Sequence, residues 1–408
     1  MKSYVHATLS STGSWMGNIY DLTLLTYIYT ELEKFFHINL LMVSLLFALG
    51  LIGRFFGGVF FGSMNDKMGS KIVMVIGTSG YAIFSGVMAF SPNVFMLFSA
   101  RFIQGIFMGG EWTAGTVLSY EFAPDNVKGT IVGVVQSGYG IGYALTGVAY
   151  LLFLPTMIVN WRYFILTGIT PLLIVPYAMM KIPSDKHKRD NNVRDKINLK
   201  KYKIPFFKSV ILMSGYFAAY FSIFSFYPTI APSFGISPSI VGFTMIVSNI
   251  VLAISFIVFG RLSLFIRKKY LIMAGSTISI IFAWFAIPFI RGVSFLSIPG
   301  LIFFTVGIGS MPIVPLLLME RVNGAVRGTI SGISYNFGAL FGGIISILLG
   351  FIGDITGYHS LLIIIDITTL LCMVSVMITG MSIKRLKESA SYRAFNNTQL
   401  IYNAKNNK

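Results

Sequence analysis

Charge is scarce in this chain. Only 11% of its residues are Asp, Glu, Lys or Arg, while 55% are hydrophobic; soluble domains carry about 25% charged residues. That balance excludes an ordinary soluble domain and makes the bilayer the solvent for most of the chain. Cysteine is nearly absent: Cys372 stands alone, which excludes a disulfide framework and a cysteine-based metal cluster. The four histidines, His6, His37, His187 and His359, are scattered without ligand spacing. No metal and no cofactor is expected. No glycine loop precedes a Lys-Ser or Lys-Thr in a strand context. "GYGIG" (138–142) lies inside an apolar run, and no Ser-His-Asp set appears. Enzyme chemistry and ATP-driven pumping are therefore not expected. The opening "MKSYVHATLSSTGSWMGN" has no apolar run ending at a cleavage site, so no removable signal peptide is read.

What the chain has is apolar length. A helix needs about 20 mostly apolar residues to cross a bilayer. Twelve such spans are predicted, roughly at 14–35, 40–63, 71–90, 95–119, 129–153, 162–181, 207–231, 238–260, 270–290, 295–318, 328–352 and 359–382. A basic polar stretch, 182–206, separates a six-helix half at 1–181 from a second at 207–383, and a polar tail occupies 384–408. With both termini cytoplasmic, about 26 of the 31 Lys and Arg fall inside; Lys34, Arg162 and Arg291 fall outside. That asymmetry orients the chain as a multi-pass cell-membrane protein. It also accounts for the net charge of +17 without nucleic acid, because basic cytoplasmic loops sit beside anionic headgroups.

The chain also repeats itself. "VKGTIVGV" from Val127 returns as "VRGTISGI" from Val326, 199 positions later. Glu121 and Glu320 precede Lys128 and Arg327 by the same interval. Both copies lie at the cytoplasmic start of an outward-running span, so the halves are related by an axis along the membrane normal. Parallel six-helix halves joined by a basic loop resemble the major facilitator superfamily.

Further stretches carry that resemblance. "GSMNDKMGSK" is similar to the superfamily's loop signature through Gly62, Asp66, Gly69 and Lys71, which implies a gating contact with the other half. "GRLSLFIRKK" from Gly260 keeps the Gly and the basic end but lacks the Asp. "LIGRFFGGVFFG" from Leu51, "RFIQGIFMGGEW" from Arg101, "VVQSGYGIGYAL" from Val134 and "WRYFILTGITP" from Trp161 resemble the sialate/lactate:proton symporters and neighbouring metabolite:proton symporters. Span one of those relatives often carries two acids three apart; here the positions read Asn18 and Asp21. Lys128 stands where an Arg is usual.

An ionisable residue inside a span is costly and is a functional candidate by default. Asp21, Arg54 and Glu111 each fall about 10–14 Å from the cytoplasmic end of their spans, counting the helical rise. They are expected to share one layer, with Arg54 neutralising one carboxylate and the other carrying the proton. Asp21 is the first candidate carrier and Glu111 the second; a structural Arg–acid cluster is the alternative. Arg101 lies further out, and either pairs with substrate or packs against the span-one backbone. Asp366 is the lone acid within the second-half spans.

Polar residues complete the expected cavity. Gln136, Tyr139 and Tyr143 share one face of span five. Gly138, Gly140 and Gly142 allow close helix approach beside them. The repeat sets Tyr335 and Asn336 at the positions of Gln136 and Ser137. Asn18 and Tyr220 join the candidate substrate set. Tyr216, Tyr227 and Asn249 are further polar groups, and the prolines of "GIGSMPIVP" predict a bend in span ten. The expected function is proton-coupled uptake of a small organic anion, a monocarboxylate first, by a monomer. An osmolyte, sugar, aromatic or dicarboxylic acid is the alternative cargo. A proton antiporter is disfavoured because no Gly-Pro signature occurs in span five, and a sensor because the central loop is too short for a signalling domain.

Overall fold

A chain in lipid must satisfy its backbone hydrogen bonds internally, which leaves helices and closed barrels. The computed structural model describes residues 2–183, 199–286 and 294–383, and these are helical with no strand among them. Most of the linker placed at 182–206, the tail at 384–408 and Arg291 lie outside the described residues. The first half contains α1 (Ser3–Leu24), α2 (Tyr29–Phe36), α3 (Leu40–Met68), α4 (Ser70–Ala89), α5 (Val94–Phe122), α6 (Lys128–Phe153), α7 (Met157–Leu166) and α8 (Ile174–Lys181). The second contains α9 (Lys203–Phe224), α10 (Tyr227–Ser233), α11 (Pro238–Leu262), α12 (Lys268–Ala286), α13 (Ser294–Ile308), α14 (Ile313–Arg321) and α15 (Arg327–Met381).

Local chemistry sets the ends. Asn39, Asn93 and Ser237 cap α3, α5 and α11 by accepting the backbone N–H three residues on. Gly69, at φ 95°, turns the chain from α3 into α4 in one residue, a conformation that costs a glycine little. Gly357, at φ 73°, breaks α15 into two helical runs. The bend expected in span ten appears between α13 and α14, where the chain leaves the helix at Gly309–Pro312.

Seven helical stretches among the described residues are long and apolar enough to cross a membrane. Two of them, Asp125–Lys181 and Gly324–Met381, run 57 and 58 residues, more than twice the single-crossing length. The polar α1 and the charged α5 fall outside this set. The structure corrects the start of span one: the helix begins at Ser3, not near 14, and ends at Leu24. Its first turns carry Ser10, Ser11 and Ser14, which are buried against other helices and so depress the hydropathy without touching lipid. Large apolar side chains such as Phe95, Ile158 and Leu173 cover the outside, each at least 80% exposed, which is the surface a lipid-facing wall requires.

Helix α3 packs along α5 and along α15, and α6 packs along α1 and α11. Two of these seams, α3–α15 and α6–α11, join the halves. Glycine makes the contacts close. A Cβ on Gly57 would collide with the backbone of Ile106, and one on Gly109 with the backbone of Arg54. On α6, Gly138 and Gly142 face the α1 backbone while Gly133 and Gly140 face that of α11, so one helix is held from both sides.

Candidate functional site

The centre of the molecule holds a chain of buried polar groups running from one half to the other. Glu111, on α5, accepts a hydrogen bond from the Asn18 amide of α1 at 2.7 Å. Arg54 of α3 donates to the same Asn18 through Nη1 at 3.4 Å and to Asn336 of α15 through Nε at 2.9 Å. Asn336 in turn donates to Gly332 of its own helix at 2.9 Å and to Thr113 at 3.4 Å. Asn18, Arg54, Glu111 and Asn336 are all 0% exposed. The acid and the guanidinium are thus joined through an amide. Among the described residues, Glu111 Oε1 and Arg54 Nη2 have no hydrogen-bond partner.

An aromatic set surrounds this chain. The rings of Trp112 and Tyr335, from different halves, stack at 3.4 Å between centroids with 15° between planes. Trp15 stands across both, 6.1 Å from Trp112 and 6.0 Å from Tyr335, and Arg54 lies 4.6 Å over the Trp15 ring. Gln136 donates to the Tyr335 hydroxyl at 2.8 Å and accepts from Trp112 Nε1 at 3.4 Å. Gln136 and Tyr335 are separated by 199 residues, the interval of the internal repeat. The two copies of one repeat position therefore face each other, as positions beside a two-fold axis must.

The other expected lining residues lie nearby. Tyr139 packs edge-on against Tyr220 at 5.3 Å, and its hydroxyl has no hydrogen-bond partner among the described residues. Tyr220 donates to Asn249 at 2.5 Å. Tyr143 reaches across the halves to the Phe224 carbonyl at 2.7 Å. Tyr216 shares a hydrogen with Ser310 at 2.5 Å.

Asp21 is elsewhere. Among the described residues Asp21 makes no hydrogen bond or ion pair with Arg54 or Glu111, so the direct Asp21–Arg54 or Asp21–Glu111 contact expected within one layer is not seen. Ser85 of α4 donates to the Asp21 carboxylate at 3.0 Å, and a Cβ on Gly168 would strike it, so the side chain points between α1, α4 and the turn after α7. Helical rise fixes a residue's level but not its direction, and three residues of turn move Asp21 to a neighbouring face. The arginine on the neighbouring helix, Arg101, meets the backbone of this turn and not the carboxylate. That arginine donates to the Leu22 carbonyl at 2.9 Å, the Asp21 carbonyl at 3.4 Å and Gln104 at 2.6 Å. It therefore satisfies carbonyls in the last turn of α1, groups a helix end leaves without partners. Asp366 is buried in the second run of α15.

The loop signature lies at the other end of α3. Asp66 accepts from the backbone N–H of Gly328 at 2.9 Å and of Thr329 at 2.8 Å, and from the Thr329 hydroxyl at 2.6 Å. An acid of the first half thus caps the N-terminus of α15 in the second. Gly62 lies against the same turn, where a Cβ would come within 3.2 Å of Gly328 O. Lys71 caps the end of α8 instead, donating to Met179 and Ile182 carbonyls at 2.7 and 2.6 Å. Beside Asp66, Arg327 pairs with Glu121 across the halves at 3.0 Å. Its repeat equivalent Lys128 pairs with Asp125, and Glu320 with Lys268.

Sequence reasoning missed Trp15, Trp112 and Thr113 at the centre. Trp15 and Trp112 are half of the chain's four tryptophans, and Trp112 directly follows Glu111. A rare, costly side chain beside an intramembrane acid was the available signal.

Comparison with known proteins agrees with this architecture. The chain is 24% identical over 367 residues to the sialic acid transporter NanX of Escherichia coli, covering 87% of this chain and 89% of that one. It is 27% identical over 169 residues to the niacin transporter NiaP of Acinetobacter baylyi, covering 41% and 38%. Among solved structures it superposes on the proton:xylose symporter XylE with a TM-score of 0.71 at 14% identity, covering 93% and 94%; at that identity the likeness concerns the fold. The family model for the Major Facilitator Superfamily matches residues 10–346, and the chain belongs to that superfamily of membrane transporters.

Proposed function

We propose that this protein is a secondary active transporter that takes up a small organic anion, a monocarboxylate, together with protons. Relatives named for sialic acid and niacin transport favour an acidic cargo. The observation that carries the reading is the buried chain Glu111–Asn18–Arg54–Asn336, which spans both halves and ends in a free guanidinium nitrogen and a free carboxylate oxygen.

The coupling follows from charge counting. Arg54 and Glu111 together are neutral when ionised. A carboxylate bound at Arg54 Nη2 makes the core net negative, and closing low-dielectric walls around an uncompensated charge is expensive. A proton on Glu111 restores neutrality. The halves then close over the pair of ligands or over neither, and each carboxylate is accompanied by one proton. Glu111 is the carrier in this scheme because it shares Asn18 with Arg54. Asp21, held by Ser85, and Arg101, bonded to the Asp21 and Leu22 carbonyls, stabilise the end of α1. Asp66 on the α15 N-terminus and the Glu121–Arg327 pair act as the inner latch that must part when the site opens inward. The proposed topology is twelve spans with both termini cytoplasmic, in the cell membrane, as a monomer.

Uptake of a labelled monocarboxylate into liposomes after a pH jump tests the function. Accumulation must rise when the outside is acidified. Accumulation unaffected by the proton gradient overturns the coupling.

A further inference from the structure

We infer that the cargo is a planar aromatic monocarboxylate, whose ring slides between the faces that Trp112 and Tyr335 now present to each other. This rests on the reading of the Arg54 site as the anion site and deepens it. Trp112 belongs to the first half and Tyr335 to the second, so any opening at the centre separates this stack and leaves two parallel π faces without partners. A flat ring is the shape that replaces both lost contacts in one step, because it offers a π face on each side.

The charged end fits the same geometry. Arg54 lies 5.9 Å from the Tyr335 ring centroid and 4.6 Å from that of Trp15. A carboxylate attached to a ring has its carbon about 3 Å from the ring centre, and its oxygens reach a guanidinium nitrogen about 2.8 Å further on. Once the two rings have parted to admit it, one molecule therefore spans from between them to Arg54. Three buried polar atoms of this set lack hydrogen-bond partners among the described residues: Arg54 Nη2, Trp15 Nε1 and the Tyr139 hydroxyl. The first suits the carboxylate, and the other two suit a polar atom on the ring. A saturated ring is puckered, thicker and without π faces, so it loses the stacking while keeping the carboxylate.

The test compares labelled benzoate with labelled cyclohexanecarboxylate, which share the carboxylate and the carbon count, by equilibrium binding to the purified full-length protein. Benzoate should bind about five- to 150-fold more tightly, the fold-change that about 1–3 kcal/mol of ring stacking corresponds to. Trp112→Leu and Tyr335→Leu should each erase most of that preference, while Trp112→Phe and Tyr335→Phe preserve it and guard against a folding defect. Equal binding of the two acids, weakened for both by Arg54→Gln, overturns the aromatic cargo and leaves the anion site standing. Binding of both acids indifferent to Arg54→Gln, or no binding of either, overturns the site as well.

Discussion

Asn18 stands between Glu111 and Arg54, and that one amide decides how the acid behaves. A direct ion pair would hold the proton off Glu111 throughout the cycle. An amide relay leaves Oε1 free and lets the guanidinium turn to a ligand. Glu111→Gln should therefore abolish gradient-driven accumulation in liposomes while exchange of internal for external substrate continues, because the neutral amide mimics the protonated acid. Asp21→Asn should keep gradient-driven accumulation and instead lower the melting temperature, since an amide N–H group takes the place of a carboxylate oxygen that has no hydrogen-bond partner among the described residues, in a water-poor site. The reverse pattern would return the carrier role to Asp21. These two acids also mark what could be read from the sequence. Their rarity in apolar spans identified both, as it identified Arg54, and the repeat interval identified Tyr335 and Asn336 from Gln136 and Ser137. Direction about the helix axis was not readable, because it depends on which neighbour each face meets.

Helix pairs in this protein approach through bare backbone. Along α3 and α5, Gly53, Gly57, Gly105 and Gly109 remove the side chains that would hold the axes apart. Gly57→Ala adds one methyl group where the Ile106 backbone already sits, and overpacking of that kind costs about 1–3 kcal/mol. A lowered melting temperature of the purified protein is the expected result, and an unchanged one would show that the seam has room. The α15 N-terminus gives a second test at this scale. Asp66→Asn removes a formal charge from a helix end where such a charge is worth about 0.3–1 kcal/mol, up to about 2 when partly buried. The inner latch should weaken, and a cysteine placed by Ser331→Cys in a Cys372→Ser background should react faster with a thiol reagent. The bend of span ten was legible from its prolines, whereas the early start of α1 was not. Hydropathy reads polar residues as outside the membrane even when other helices bury them.

At the level of the whole molecule, the proposed coupling makes a prediction about charge. One carboxylate with one proton moves no net charge. Uptake should respond to a pH gradient and ignore an electrical potential imposed with potassium and valinomycin at equal pH. A potential-driven uptake would require a second proton or another ion. The parallel repeat makes the central site common property of both halves, and Gln136 bonded to Tyr335 is its clearest mark. Communication between the halves needs no relay of intermediate residues, since Arg54 and Gln136 of the first already bond Asn336 and Tyr335 of the second. Whatever settles at that midpoint is felt by each half at the same instant, and a mutation there acts on two partners for the cost of one.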